Sequence, residues 1–342
     1  MSSQLTISIA LTTFNGERFL SKQLESLSAQ THIPLELVVV DDGSTDKTLE
    51  ILESFAIDAR FPVRIYQNAV RIGYRKNFIR AANLCSGDLI CFCDQDDIWS
   101  EDKLERVAIE FLDQSVLLVY HNARLIDANG QTKGYIFKSN DVNATRSHED
   151  FEPWAIVPGF SQCIRKSLLR FSSFHLDSVD MFNMTEPMPH DQWFIFLASA
   201  LGKTNYIADS LADYRQHDRN TSGWLQAKPL AFALHNIVYA SFYVRACHHA
   251  LQNRIALLNQ LKPLLRTSQG EHVDTLISHY TDLMEYVRRR LVLYTEKSFC
   301  VRARLLYSMI RNRTYSSSKA RFRRGSMLLD IVIGVPLAHT LR

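Results

Sequence analysis

Three aspartates cluster in the segment Asp94-Gln95-Asp96-Asp97, which directly follows an apolar run at residues 88–93. Two carboxylates at positions i and i+2 of a tight turn can share Mg²⁺ or Mn²⁺ with a diphosphate, because such cations keep open positions for phosphate oxygens. The cation would neutralise charge that develops on a departing diphosphate. The alternative interpretations of this tetrapeptide alone are a solvated acidic turn and a calcium loop.

Two other polar segments are candidates for holding a nucleotide. Asp41-Asp42-Gly43-Ser44 follows the apolar run 35–40, and its first aspartate could accept hydrogen bonds from a base or ribose. The alternative is an Asx turn in which Ser44 or Thr45 caps the next helix. Arg71 follows a third apolar run and could grip phosphate with its planar guanidinium, or could be an ordinary surface arginine.

Two downstream residues are candidates for proton transfer and metal binding. Asp191 precedes the apolar run 192–201, where a carboxylate could act as a general base or as a helix N-cap, and these two roles are compatible. His217 lies in Tyr214-Arg215-Gln216-His217. It could be a metal ligand only if other ligands meet it in space, and is otherwise a packed or surface histidine.

The elements that must position these residues alternate along the first hundred positions. The runs 5–11, 35–40, 63–66 and 88–93 have strand character, and residues 17–30, 45–55 and 74–85 have helical spacing. This order predicts an α/β fold with a mostly parallel sheet. The loops 12–16, 41–46 and 94–97 then meet at the carboxyl edge of that sheet, where ligands bind in such folds.

The pattern beyond residue 100 is less regular. A helix is predicted at 101–112, strands at 115–120 and 205–216, and a helix at 192–201. Residues 121–153 are polar and rich in turn formers, and 172–189 are predicted to be a loop. Helical spacing prevails from about residue 226 to the end.

Composition excludes several classes of protein. The 342 residues are 46% hydrophobic and 22% charged, which excludes a disordered chain. The six cysteines have no CxxC spacing and are predicted to be reduced core residues of a cytoplasmic protein. The N-terminal segment lacks the basic region of a signal peptide, and no apolar stretch reaches the ~18 residues of a membrane span.

Charge is distributed unevenly along the chain. Residues 288–342 contain 13 Lys and Arg against two acids, a net of +11, whereas the other 287 residues carry a net of −8. This basic region with apolar stretches predicts docking on an anionic membrane surface, with a solvated face on a packed helical appendage as the alternative. No nucleic-acid-binding motif is present, so no nucleic acid partner is predicted.

Together these segments resemble family 2 glycosyltransferases of the GT-A fold. The resemblance rests on TTFNGERFL, VVVDDGSTDKT, NAVRIGYRKNF and SGDLICFCDQDDIW with Lys103, which match the family in order and spacing. The CDQDDIW form, with HDQW and YRQH downstream, is similar to rhamnosyltransferase-like members, which are bacterial. The resemblance covers residues 5 to about 225 and implies a Rossmann-like nucleotide-sugar half at 1–100, an acceptor half at 101–225 and a helical, basic region at 226–342.

The resemblance also implies roles residue by residue. Asp41 would bind the nucleotide base with Thr12 and Asn15 nearby, Arg71 the diphosphate or base, and Asp94 the ribose. Asp96 and His217 would hold Mg²⁺ or Mn²⁺, Gly159 would lie beneath the donor sugar, and Asp191 would be the base. Asp218-Arg219-Asn220 departs from the Gly-Asn-Asn-like run that usually follows this histidine.

The implied reaction transfers a sugar, with rhamnose as the sugar that the motifs favour, from a nucleotide-diphosphate sugar to a glycan or lipid-linked glycan with inversion. This chemistry belongs to cell-surface polysaccharide synthesis, at the inner face of the plasma membrane if the basic region docks there. The alternatives are a sugar-nucleotide nucleotidyltransferase and a non-catalytic sugar-nucleotide-binding protein.

Overall fold

The computed structural model describes residues 5–137, 141–147, 151, 153–154, 156–218, 220, 240–312, 327–328 and 330–335. The chain divides into two compact units. The first comprises Met1–Asp177 and Pro187–Leu225, and the second comprises Ser178–Glu186 and Gln226–Arg342. The further division of the first unit at residue 100 stays a prediction.

The first unit begins with the predicted alternation of strands and helices. Its elements are β1 (Ile7–Thr13), α1 (Leu20–Ser28), β2 (Glu36–Asp41), α2 (Thr48–Asp58), β3 (Val63–Gln67), α3 (Tyr74–Leu84) and β4 (Leu89–Cys93). Every residue of β1, β2 and β4 is buried, as expected for strands that helices cover on both faces. The α/β prediction is therefore confirmed for this half of the unit.

The cap predicted for α2 is wrong. The N-cap position is Lys47, and no side chain caps the helix there. Ser44 instead donates its hydroxyl hydrogen to Asp41 and accepts a hydrogen bond from the Asn15 N–H. The side chain that sequence rules assign to a cap is thus used to shape the loop that precedes it.

The remainder of the first unit mixes short strands with helical turns. Its elements are β5 (Ile98–Trp99), α4 (Lys103–Glu110), β6 (Val116–Asp127), β7 (Thr132–Tyr135), β8 (Ala144–Arg146), β9 (Gln162–Arg165), α5 (His190–Leu201) and β10 (Lys203–Gln216), with 3₁₀ turns at Gly159–Ser161 and Lys166–Asp177.

Residues 121–153, predicted to be turn-rich, contain the second half of β6 and both β7 and β8. Strand β6 continues because it pairs with β10 as far as Asp127. Polar side chains in this part of β6 hide the strand pattern in the sequence. In the fold, Arg124 donates two hydrogen bonds to Asp213 on β10, and the side chains of His121 and Asn122 are buried. Likewise the predicted loop 172–189 begins inside a 3₁₀ turn.

The ten strands within the described residues belong to one sheet of mixed direction. Its main order is β3-β2-β1-β4-β9-β6-β10-β5, with β7 on β6 and β8 on β10. Strands β1, β2, β3 and β4 are parallel, β9 is antiparallel to both β4 and β6, and β10 is parallel to β6. Strands β1, β2, β4 and β10 therefore all end at the same edge, and β9 begins there.

The second unit contains α6 (Ala240–Leu261), α7 (Thr267–Thr295) and α8 (Phe299–Arg311). A buried ion pair joins α7 to the turn at residues 330–334, where Arg290 donates two hydrogen bonds to Asp330 and Tyr294 donates a third. Segment 178–186 joins α6 through the Val179 N–H, which donates to Asn253. Among the helices described, none has the length and apolar character needed to cross a membrane.

Candidate active site

The loop after β4 presents the acidic cluster at the sheet edge where four strands end. Asp94 and Asp96 are partly exposed and Asp97 is fully buried. Burial raises the pKa of Asp94 to about 8, and the charges of Asp96 and Asp191 act in the same direction. Asp191 therefore lies within electrostatic reach of the acidic loop, although almost a hundred residues separate them. A cation at this site would relieve the repulsion among these carboxylates.

Asp96 and His217 meet as the sequence motifs imply. Nε2 of His217 lies 2.8 Å from Oδ2 of Asp96, and both side chains are largely buried. Strand β10 brings His217 to this edge because it runs parallel to β6 and ends at Gln216. Asn220 bonds on both sides of the histidine, since its Oδ1 accepts from the His217 N–H and its Nδ2 donates to the Arg215 carbonyl at 2.9 Å.

Arg215 supports this pair, and sequence reasoning missed it. Its Nε donates to the Asp96 carbonyl at 2.9 Å, and its backbone N–H donates to Asp97 Oδ1 at 3.0 Å. Its guanidinium lies 4.8 Å from the ring centroid of Phe19, whose ring also contacts His217. The only signal for Arg215 in the sequence is its place two residues before His217.

The donor set fits a divalent cation that also binds diphosphate. A carboxylate oxygen and an imidazole nitrogen face each other, and no cluster of three His, Cys, Asp or Glu suited to hold a metal occurs among the described residues. Mg²⁺ in phosphate-transfer sites is held by one or two carboxylates with substrate phosphates and water in the remaining positions. Carboxylate also suits Mn²⁺, so the pair does not select between the two cations.

Four side chains hold the loop after β1 by its backbone. The N–H groups of residues 14 to 17 donate in turn to Gln95 Oε1, Ser44 Oγ, Thr48 Oγ1 and Asp46 Oδ2, at 2.8–3.1 Å. Gln95 also donates to the Phe14 carbonyl at 3.1 Å, and a Cβ atom at Gly16 would overlap the Gln95 amide. Gln95 was not predicted as a site residue, yet it joins the acidic loop to the loop after β1.

Asn15 contacts the loop that follows β2, and Thr12 lies near the end of β1. Asn15 adopts a left-handed backbone (φ 47°), and its Oδ1 accepts from the Thr45 N–H at 2.9 Å. Thr12 is buried at the end of β1, opposite Val40 of β2. Their roles in binding a nucleotide stay predictions.

Asp41 is fully buried, and both of its carboxylate oxygens accept hydrogen bonds within the protein. Oδ1 accepts from the Thr13 hydroxyl at 2.8 Å, and Oδ2 accepts from the N–H groups of Ser44 and Gly43. This geometry is the Asx-type turn that the sequence left open as an alternative. The role of Asp41 in base recognition stays a prediction.

Asp42 organises the neighbouring loop, which carries Arg71. Its carboxylate accepts from Asn68 and from the N–H groups of Ile72 and Gly73, at 2.7–2.8 Å. Arg71 is largely exposed, and its guanidinium stacks 3.8 Å from the ring centroid of Phe14 in the loop after β1. The structure therefore brings Arg71 to the same edge as the acidic loop.

Asp191 lies in the first turn of α5 and is not its N-cap, which is Pro189. Its Oδ1 accepts from the Gln192 N–H at 2.7 Å, and its carbonyl accepts from Gln162 Nε2 at 3.1 Å. Gly159, at the start of the 3₁₀ turn that precedes β9, packs so closely on the His190 ring that a Cβ atom would overlap it. The contact between Gly159 and His190 therefore fixes the 3₁₀ turn that carries Gly159 against the start of α5, which carries Asp191.

His190 is buried between Phe78 and Phe92. Its ring is stacked at 3.9 Å on Phe78, and neither ring nitrogen has a hydrogen-bond partner within the described parts of the chain. Burial lowers the pKa of His190 to about 3, with a smaller contribution from His175. The imidazole beside Asp191 is therefore neutral.

Several known proteins are similar to this chain in sequence. The profile of glycosyl transferase family 2 matches residues 8–171. The chain is 30% identical over 222 residues to dTDP-rhamnosyl transferase RfbG of Shigella flexneri, covering 73% of that protein and 62% of this chain. The chain belongs to glycosyl transferase family 2, within its rhamnosyltransferase-like relatives.

Other relatives support the same assignment at lower identity. An uncharacterized glycosyltransferase of Nostoc sp. is 28% identical over 225 residues, and the chain covers 66% of its length. The crystal structure of S. aureus TarS 1–349 in complex with UDP-GlcNAc matches 90% of this chain and 88% of its own, with a TM-score of 0.54 and 17% identity. The complex with UDP gives a TM-score of 0.53. The GT-A-like fold is therefore confirmed, with a helical C-terminal region.

Proposed function

We propose that this glycosyltransferase is an inverting enzyme that moves a sugar from a nucleotide-diphosphate donor to a hydroxyl of a glycan or lipid-linked glycan. The observation that carries the proposal is that Asp96 pairs with His217 at the sheet edge while Asp191 lies within electrostatic reach of Asp94. A module that only binds sugar nucleotides would have no need of a carboxylate beside the acidic loop.

The chain's own residues divide the chemistry between them. Asp191 accepts the proton of the acceptor hydroxyl while the hydroxyl oxygen attacks the anomeric carbon of the donor sugar. The bond from that carbon to the diphosphate breaks on the opposite side. Asp96 and His217 would hold Mg²⁺ or Mn²⁺, and the cation would supply positive charge that stabilises the leaving diphosphate. Arg71, exposed beside Phe14, offers a guanidinium to the same diphosphate or to the base.

The remaining predicted residues surround the donor in this proposal. Asp94 faces the ribose, Asp41 with Thr12 and Asn15 forms the base side, and Gly159 lies beneath the sugar. The rhamnosyl transferase relative and the rhamnosyltransferase-like motifs make dTDP-rhamnose the donor to test first. The UDP-GlcNAc complex of the TarS neighbour makes that compound the second donor to test.

The loop after β1 argues against a nucleotidyltransferase. Such an enzyme needs free backbone N–H groups at this loop to cradle a triphosphate. Here the N–H groups of residues 14 to 17 all donate to side chains of the protein. The backbone amides of residues 14 to 17 are therefore already used within the protein and are not left for phosphate.

The decisive experiment compares the wild-type protein with Asp191→Ala in two assays. Calorimetric titration with dTDP-rhamnose and Mn²⁺ is expected to give the same Kd for both. Release of dTDP, with water or a glycan as acceptor, is expected to fall by about 10²–10⁴-fold in the variant. Unchanged turnover would remove Asp191 as the base, and pyrophosphate release from a nucleoside triphosphate and a sugar phosphate would favour the nucleotidyltransferase.

We further propose that the enzyme works at the inner, cytoplasmic face of the plasma membrane, with α8 facing anionic lipid. Phe299, Tyr307 and Ile310 are 56%, 66% and 45% exposed, and their helical spacing places them on one side of α8. Arg304 and Arg311 are also exposed on this helix. Apolar side chains beside arginines are typical of helices that lie on membranes. The arginine cluster 321–324 lies outside the described residues.

A further inference from the structure

Lys103 is a buried ammonium group at the start of α4, six residues after Asp97 in the chain. Only 1% of the residue is exposed, and its Nζ lies 3.4 Å from the ring centroid of Trp99. Burial lowers the pKa of Lys103 to about 8, opposed by charges that include that of Asp97. An ammonium in such a place destabilises the fold unless it is well compensated, so simple packing does not account for a lysine here.

One contact of Lys103 reaches the segment that carries Gly159. Its Nζ donates to the Phe160 carbonyl at 2.8 Å. The neighbouring Gly159 packs on His190, and Gln162, two residues further on, donates to the Asp191 carbonyl. The position of the Phe160 carbonyl is thus connected to the position of Asp191 through two short contacts.

On its other side, Lys103 contacts the segment that carries the acidic loop. Its Nζ lies over the ring of Trp99, which follows Asp97 by two residues. Asp97 is fully buried, and its Oδ2 has no hydrogen-bond partner among the residues described. Lys103 therefore lies between the loop that carries Asp96 and the segment that supports Asp191.

We propose that Lys103 is a positioning residue that fixes the distance between the acidic loop and Asp191, and so between the bound diphosphate and the base. This inference rests on the proposed transfer reaction. A displacement of about 1 Å between reacting groups can lower a rate about 100-fold without changing what is bound. Lys103 itself touches neither donor nor acceptor in this proposal.

The test uses Lys103→Met, which has a similar length and no charge, with Lys103→Arg as the variant that restores a cation and donor. Lys22→Met, on the exposed face of α1, is the matched control. The measurements are Tm, the Kd of dTDP-rhamnose with Mn²⁺, and kcat for dTDP release. We expect Lys103→Met to keep its Tm and a Kd within threefold of wild type while kcat falls about 100-fold, and Lys103→Arg to recover part of that loss.

Two results would overturn the proposal. In one, Lys103→Met retains both Tm and kcat, so the cation has no part in positioning. In the other, Tm, Kd and kcat fall together in Lys103→Met and Lys103→Arg recovers none of them, which is the behaviour of a purely structural residue. A wild-type protein that binds dTDP-rhamnose but releases no dTDP in any assay would reject the proposed function and this role with it.

Discussion

At the residue scale, the site is a set of carboxylates that repel one another. The pKa of Asp94 is raised to about 8 by burial and by the charges of Asp96 and Asp191. Repulsion raises the free energy of such a cluster when all its carboxylates are ionised. A divalent cation bound among them lowers that free energy. In the proposed function we therefore expect donor and cation to bind together.

The first prediction concerns the Asp96–His217 pair. We expect Asp96→Ala and His217→Ala to weaken Mn²⁺-dependent binding of dTDP-rhamnose at least tenfold, because each removes a group that can hold the cation. Calorimetric titration with and without Mn²⁺ measures this effect. Asp218→Ala, which changes an exposed neighbour, is the control. Equal affinity in the variants and the control would show that the pair does not bind the cation.

The second prediction concerns the neutral His190. Its pKa is about 3 in the fold and about 6.5 in an unfolded chain, so below pH 6.5 only the unfolded chain takes up a proton. The contribution of neutral His190 to the free energy of unfolding is therefore fully present above pH 6.5. It is lost as the pH falls towards 3, at up to about 1.4 kcal/mol per pH unit.

Urea unfolding at a series of pH values measures this dependence. We expect His190→Gln to lose stability less steeply than wild type between pH 6.5 and 4. His249→Gln, at an exposed position on α6, should keep the wild-type slope. If His190→Gln also keeps that slope, the imidazole is not held neutral.

At the element scale, loops from different strands brace one another. Gln95 accepts from the Phe14 N–H and donates to the Phe14 carbonyl, and Ser44 bonds both to Asp41 and to Asn15. These bonds join the ends of β1, β2 and β4. The nucleotide side of the proposed site is therefore preorganised, which reduces the entropy lost when a donor binds.

The third prediction compares two glycines, one in the tightly packed loop after β1 and one on an open part of α7. A Cβ atom at Gly16 would overlap the Gln95 amide, so Gly16→Ala should displace the loop after β1 and weaken donor binding about tenfold or more. Gly270 lies in α7, where such a Cβ would meet nothing within 4 Å beyond its chain neighbours and the adjacent helix backbone, so Gly270→Ala should stabilise the protein by about 0.5–1 kcal/mol. Donor titration and thermal unfolding measure the two effects, and a Gly16→Ala protein with unchanged donor Kd would contradict the bracing.

At the scale of the whole molecule, charge separates along the chain. The first 287 residues carry a net of −8 and the last 55 carry +11. Some of the basic residues serve the fold, since Arg290 pairs with Asp330 and Arg302 donates to carbonyls at residues 296, 297 and 335. Others, such as Arg304 and Arg311, are exposed on α8 and remain for a partner.

The fourth prediction tests the membrane proposal with the full-length protein. Each arginine near an anionic surface contributes about 1 kcal/mol, so Arg304→Gln with Arg311→Gln should lower the affinity for phosphatidylglycerol-containing vesicles about 30-fold. Flotation with vesicles of phosphatidylcholine alone should recover little of either protein. Lys22→Gln with Lys76→Gln, an equal change of charge on the first unit, is the control. Equal loss in both pairs would indicate attraction by net charge alone.

The sequence by itself determined the strands of the first hundred residues and the loops that follow them. Apolar runs such as 35–40 are local signals, and the loops that end them are local as well, so their order predicts which residues gather at one sheet edge. The segments of the first hundred residues predict the family, and the motifs CDQDDIW, HDQW and YRQH predict its rhamnosyltransferase-like members, which the RfbG relative confirms. The roles of the site residues within it stay predictions.

Only the tertiary structure decided how the side chains satisfy one another. His217 and Asp96 are 121 positions apart, Gln95 and Phe14 are 81 apart, and Lys103 and Phe160 are 57 apart. Such partners are set by the order of strands in the sheet, and no periodicity along the chain encodes that order. The extension of β6 to Asp127 has the same cause, because its polar residues are acceptable in a strand only where Asp213 of β10 pairs with Arg124.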